Sequence, residues 1–201
     1  MNEATTRCPA RKVVIVGAGD VGAAFAYALL QNGAAESIVL IDARQEQAEG
    51  QTQDLAHGLP FVPTAEVRAG SPDDYAGAGV VVITAGARQK PGESRLNLLR
   101  RNAHIIEQIV DDIAARQSHA VIVVVSNPVD VLTHVALQRT GWPKNRIIGS
   151  GTVLDSARFR RLLSAHCGVD VKNVHAYILG EHGDSEVPVW SMTHLAGMLM
   201  D

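Results

Sequence analysis

Short runs of β-branched and aliphatic residues alternate along this chain with longer stretches whose apolar positions recur at helical spacing. The runs at 12–16, 37–41, 66–69, 80–84, 120–125 and 146–148 read as strands, and their apolar density suits strands covered on both faces. Between them, helices are predicted over 21–31, closed by Gly33, over 45–56, over 94–117, and over 129–139, closed by Gly141, with a short turn at 72–75. Strand and helix in strict alternation imply βαβ units. The expected class is therefore α/β, a Rossmann-type doubly wound parallel sheet of about six strands. After Ser150 the pattern changes. A helix over 152–165 is followed by an apolar run at 175–179, then by Gly180-Glu181-His182-Gly183-Asp184, and past Trp190 by what reads as another helix. Residues 1–150 are expected to form one domain and 151–201 the beginning of an α+β second domain, which does not finish before Asp201.

Composition narrows the partners. The 201 residues are 46% hydrophobic, enough for one well-buried core and part of a second. Eighteen basic against 21 acidic residues give a formal charge of -3, without the basic footprint of a nucleic-acid or lipid-surface binder. The polar stretch 1–12 has no apolar signal segment, and the most apolar region, 13–30, is interrupted by Asp20 and three glycines, so no membrane span and a cytoplasmic location are expected. Cys8 in the polar tail and Cys167 at a helix end make a poor disulfide framework and fit a reducing compartment. Eight histidines occur without HExxH or a Cys/His cluster, so no metal is expected.

Three segments carry candidate chemistry. Gly17-Ala18-Gly19-Asp20-Val21-Gly22 is a GxGxxG directly after one strand and before one helix. Gly17 suits the tight turn, Gly19 a close backbone approach to a pyrophosphate, and Gly22 close helix–strand packing. The helix N-terminus, from Asp20 and Val21, supplies N–H groups and a positive dipole end. Asp42 closes the second strand 20 residues past Gly22, where its carboxylate can accept from ribose hydroxyls and repel a 2′-phosphate. That favours NAD over NADP, although Arg44 nearby blurs the preference. The loop from Gly86 to Arg95 lies at the carboxyl edge of the sheet and carries three cations; it reads equally as a substrate loop or a solvated one. Asp155 and Arg158 share a helix face, which alone is a surface ion pair of small worth. His182 becomes a tuned acid/base only if it meets a buried acid, and a lone turn histidine is more often structural.

Taken in order, Gly17-x-Gly19-x-x-Gly22, the segment Ala87 to Leu98, Ser126-Asn127-Pro128-Val129-Asp130, the segment Gly149 to Arg158 and Gly180-Glu181-His182-Gly183-Asp184-Ser185 resemble the motifs of the lactate/malate dehydrogenase family, from residue 12 onward. The resemblance implies that His182 is the proton donor and acceptor and that Asp155 fixes its tautomer. It implies that Arg158 grips the substrate carboxylate and that Arg95 polarises the reacting carbonyl. Asn127 would link nicotinamide and substrate, while Thr84, Ala85, Gly86 and Ser126 would flank the NAD cleft. Malate-specific members place an arginine where this chain has Gln89. A neutral glutamine leaves the second carboxylate of oxaloacetate unpaired and tolerates the methyl of pyruvate, so pyruvate and L-lactate are expected as the substrate pair. Arg160 and His175 match positions implied to bind fructose 1,6-bisphosphate between subunits in bacterial members, which would make the full-length protein a homotetramer. The family continues beyond the length of this chain, which therefore reads as truncated and is expected to expose apolar surface. Malate or another 2-hydroxy acid as substrate, and NAD binding without turnover, remain the alternatives.

Overall fold

The computed structural model describes residues 11–200; Cys8 and the other residues of the polar N-terminal stretch before Arg11 lie outside the described residues. The chain divides into two compact units, one of residues up to Asn127 with Leu132–Ile148, the other of Pro128–Val131 with the residues from Gly149 onward.

In the first unit six parallel strands, β1 (Lys12–Val16), β2 (Ser37–Ile41), β3 (Glu66–Ala69), β4 (Val80–Ile83), β5 (Val121–Val124) and β6 (Ile147–Gly149), form one sheet. Their spatial order is β3-β2-β1-β4-β5-β6. The order reverses between β1 and β4, and a parallel sheet leaves a crevice beyond the carboxyl ends of its strands at that point. The helices α1 (Asp20–Asn32), α2 (Gln45–His57), α3 (Arg95–Ala115) and α4 (Val129–Thr140) connect the strands. Side chains of successive strand residues go to opposite faces. Val14 and Val16 accordingly join Ile106 and Val110 of α3 and Leu132 of α4 in one core, whereas Val13 and Ile15 join Ala26 and Leu30 of α1 in the other. Fully burying such a side chain is worth roughly 1.5–3 kcal/mol, which is why β1 can be aliphatic at every position after Lys12. The expected α/β doubly wound sheet is the one observed.

The breaks fall where the local chemistry demands. Gly33 adopts a left-handed conformation (φ 60°) and returns its N–H to the carbonyls of Leu29 and Leu30, ending α1. Ser94 caps α3 by accepting the N–H of Asn97 at 3.2 Å. Ser94 and the last two residues predicted for that helix, Arg116 and Gln117, thus lie outside it. No helix among the described residues is long and apolar enough to cross a membrane.

Asp74, between β3 and β4, binds the guanidinium of Arg68, the ammonium of Lys12 at 3.1 Å and the backbone N–H of Ser71 at 3.1 Å. These partners, Arg68 first, hold its carboxyl well below the usual range. A depressed folded pKa contributes stability above the unfolded value, ~4, that is lost as pH falls below it. Asp74→Asn is therefore expected to cost about 2 kcal/mol in urea melts at pH 7. The difference between variant and parent should shrink progressively as pH falls below ~4, toward the depressed folded value; a gap independent of pH contradicts this account.

The second unit contains α5 (Val153–Cys167), followed by β7 (Val174–His175), β8 (Ile178–Leu179), β9 (Val187–Pro188), β10 (His194–Leu195) and β11 (Met198–Leu199). Leu163 of α5 packs with Val174, Ala176 and Leu195. Cys167 at the end of α5 is an exposed thiol. The helix expected past Trp190 is not formed: β10 and β11 make an antiparallel hairpin, and β10 also pairs with β7. Ala196 (φ 50°) and Gly197 (φ 85°) both lie in the left-handed region, which forms a tight hairpin turn and stops helical propagation. Val153, Leu154, Leu162, Leu179 and Val187 are each more than half exposed.

Candidate active site

The crevice at the β1/β4 reversal is a cleft of about 930 Å³ within the first unit. Its lining includes Gly17, Gly19, Asp20, Asp42, Thr84, Ala85, Gly86 and Arg88. Val21 is exposed at the start of α1, while Gly22 is buried beneath the turn. The three glycines are required for different reasons. Gly17 has φ 106°, and a Cβ there would lie 2.6 Å from the Ala85 nitrogen. A Cβ on Gly22 would lie 1.9 Å from the Gly17 carbonyl oxygen. A Cβ on Gly19 would meet nothing within 4 Å, so what a side chain would remove there is open space above the first N–H groups of α1. Gly22→Ala is thus expected to destabilise the chain by about 1–3 kcal/mol and to weaken NADH binding. Gly19→Ala should weaken binding at least about tenfold with stability changed by less than about 0.5 kcal/mol. Urea melts and fluorescence titration of both variants check the contrast; equal effects on stability would contradict it.

Asp42 ties the glycine turn to β2. Its Oδ2 accepts the Ala18 N–H at 2.8 Å and its Oδ1 accepts the Arg44 N–H at 2.9 Å. A carboxylate has about four acceptor positions, so roughly two remain for a diol. The Arg44 guanidinium stands 3.9 Å from Asp42 and is largely exposed. On the opposite wall, the Thr84 hydroxyl donates to the Gly17 carbonyl at 2.8 Å, and the buried Ser126 hydroxyl donates to Ala85 at 2.6 Å. An open turn with free helical N–H groups, flanked by a carboxylate, fits a dinucleotide.

The loop from Gly86 to Ser94 is held by its own acid. Glu93 forms an ion pair with Arg101 at 2.9 Å and accepts the Lys90 N–H at 2.9 Å, and these contacts hold its carboxyl below the usual range. Gln89 donates its amide N–H to the Glu93 carbonyl at 2.8 Å, while Arg95 is exposed on the first turn of α3. Asp20 and Arg88 face each other at 3.3 Å but are almost fully exposed, a pairing of little energetic weight.

In the second unit α5 and β8 are joined by Thr152 and Ser156. Thr152 donates to the Ile178 carbonyl at 2.7 Å, and the Ser156 hydroxyl accepts the Ile178 N–H at 2.9 Å. This fixes the strand that leads into the His182 loop. Gly180 turns that loop at φ 106°, and the His182 N–H donates to Asp130 at 2.8 Å. His182 Nδ1 then lies 2.5 Å from Oδ2 of Asp155, which is 8% exposed. Oδ1 of Asp155 accepts from the Arg158 guanidinium at 2.9 Å. An ionised carboxylate only accepts, so Nδ1 carries the proton and Nε2 is the atom left to exchange one. Glu186 brings a third potential ligand atom within 4.8 Å of Asp155 and His182, although both Asp155 oxygens already have partners. Arg160 donates to the carbonyl of Val174, next to the exposed His175.

Sequence reasoning missed Glu93 with Arg101 as the loop's internal tie, Asp130 as the anchor beneath His182, and Asn102, buried on α3. Asp130 and Glu93 stand inside the motifs, but only their partners reveal what they hold.

A cleft at the reversal of a doubly wound sheet, with a glycine turn and an acid at the end of β2, defines a dinucleotide-binding unit. The family model for the lactate/malate dehydrogenase NAD binding domain matches residues 11–149, and that for the lactate/malate dehydrogenase alpha/beta C-terminal domain matches residues 152–200. The chain belongs to the lactate/malate dehydrogenase family. It is 56% identical to an L-lactate dehydrogenase of Treponema denticola over 95% of this chain and 61% of that protein. With an L-lactate dehydrogenase of Acetivibrio thermocellus the identity is 51%, over 95% of this chain and 60% of that protein. Among solved structures, the ligand-bound minor L-lactate dehydrogenase of Enterococcus mundtii superposes with a TM-score of 0.93 at 46% identity, covering 96% of this chain and 62% of that one. A lactate dehydrogenase from a Medee basin deep-sea metagenome library gives 0.92 at 47%, with the same coverage of both chains. The chain spans about 60% of the length of the curated relatives it matches.

Proposed function

We propose that the protein is an NAD-dependent L-lactate dehydrogenase interconverting pyruvate and L-lactate. The observation that carries this reading is the pairing of His182 with the buried Asp155 and of Asp155 with Arg158. Residues 1–150 serve as the NAD domain and 151–201 begin the catalytic domain. The cofactor is held by Gly17, Gly19 and Gly22 with Asp20 and Val21 at the helix start, by Asp42 at the ribose, and by Thr84, Ala85, Gly86, Ser126 and Asn127 around the nicotinamide. When bound, NADH supplies the hydride for the substrate carbonyl carbon.

The residues of this chain do the rest. Arg158 grips the substrate carboxylate through its guanidinium fork, a geometry lysine does not reproduce. Arg95 polarises the carbonyl as charge develops on its oxygen. His182 delivers the proton from Nε2, and Asp155 steadies the imidazolium. Closure of the loop carrying Gln89 and Arg95 excludes water during reduction. Gln89, being neutral, selects a methyl over a second carboxylate. The reading extends to a cytoplasmic homotetramer of glycolytic fermentation, with fructose 1,6-bisphosphate acting through Arg160 and His175.

NADH absorbance followed with pyruvate and separately with oxaloacetate, each with and without fructose 1,6-bisphosphate, tests this. Faster oxidation with pyruvate supports it, and a preference for oxaloacetate makes the chain a malate enzyme. NADH binding without oxidation reduces it to a dinucleotide-binding module.

A further inference from the structure

On α3 the buried positions are Asn102, Ile106, Val110 and Ile113, a stripe at helical spacing that faces the sheet. Three of the four are aliphatic, and the first is an amide only 4% exposed. A buried amide is costly unless its hydrogen bonds are made, so an asparagine at the head of an aliphatic stripe calls for a reason beyond packing.

Both ends of that amide are engaged by backbone from different strands. Oδ1 accepts the Ala87 N–H at 2.8 Å, just beyond β4, and Nδ2 donates to the Asn127 carbonyl at 3.2 Å, just beyond β5. Gly86 lies against the same group, since a Cβ there would stand 3.7 and 3.8 Å from the two amide heteroatoms. The Ser126 hydroxyl makes a second tie between these segments, to Ala85.

We propose that Asn102 is a positioning residue that sets the separation of the Gly86-Ala87 turn and Asn127 and thereby places the nicotinamide half of the dinucleotide. This rests on the dinucleotide reading given above. The strand order makes the role one-sided. Asp42 follows β2 and Asn127 follows β5, with β1 and β4 between, so the adenine half lies on the β2 side of the cleft and the half that Asn102 governs lies on the other.

The test compares affinity for NADH with affinity for ADP, which lacks the nicotinamide half, in the parent chain and two variants. Asn102→Leu completes the aliphatic stripe and removes both bonds. Asn102→Asp keeps an acceptor toward Ala87 but sets a second acceptor against the Asn127 carbonyl. Both variants are expected to bind NADH at least about tenfold more weakly, since two backbone tethers are lost or opposed, while ADP binding stays within about twofold of the parent. Parallel losses for NADH and ADP would show that Asn102 serves the fold alone, and unchanged NADH binding would show that the tether does not reach the cofactor; either result overturns the proposal. A parent chain that binds neither ligand overturns the dinucleotide reading itself, and the proposal with it.

Discussion

Asn in place of His182 is expected to slow pyruvate reduction by about 10³-fold or more while NADH binding changes less than about twofold. The asymmetry follows from geometry: His182 belongs to the second unit and contacts Asp155 and Asp130, whereas the glycine turn and Asp42 belong to the first. Asp155→Asn should cost a comparable factor for a different reason. An amide that turns its N–H₂ toward Nδ1 reverses the tautomer, fixes the proton on Nε2 of a neutral ring and disfavours the imidazolium that delivers it. Because Asp155 also binds Arg158, its replacement should raise the KM for pyruvate as well as lower kcat, whereas His182→Asn acts on kcat. Steady-state kinetics with pyruvate and a fluorescence titration with NADH separate the cases. A His182→Asn protein within tenfold of the parent rate would remove His182 from the chemistry.

Gln89→Arg is expected to reverse the preference between pyruvate and oxaloacetate, moving the ratio of kcat/KM by about 10³ or more. On the proposed substrate reading, an oxaloacetate carboxylate entering beside Gln89 would lose water without gaining a counter-charge, whereas a guanidinium there would offer a two-pronged, charge-assisted contact. The loop should accept the change, because Gln89 is exposed and the tie between Glu93 and Arg101 does not involve its side chain. The amide bond from Gln89 to the Glu93 carbonyl is lost, a modest effect beside that of the new charge. The ratio of kcat/KM for the two oxo acids is the measurement, and an unchanged ratio would place the specificity determinant elsewhere.

Most of the sheet was legible because strands buried on both faces have to be aliphatic throughout, and runs such as that at 12–16 admit few other readings. Gly33 and the glycine turn were legible for the same kind of reason, since positive φ and close approach leave little choice of residue. The segment past Trp190 was misread because its periodicity is too short to outvote a helix; what decides it is the conformation of Ala196 and Gly197, and alanine at positive φ gives no warning. The candidate site was legible only as motifs. Asp155 and Arg158 are three residues apart and could be paired on a helix face, but His182 lies 27 residues from Asp155 and meets it through α5 and β8, joined at Ile178. Asn102 was invisible, because a polar residue in a polar stretch beside Arg100, Arg101 and His104 looks solvated until the helix is docked.

The most direct test of the central claim is a single-turnover experiment in which the chain, loaded with NADH deuterated at the transferring carbon of the nicotinamide, is mixed with pyruvate and the product examined by NMR. The account predicts L-lactate carrying deuterium at carbon 2 and a solvent-derived proton on the hydroxyl. Bound, unreacted NADH with no lactate formed would contradict it.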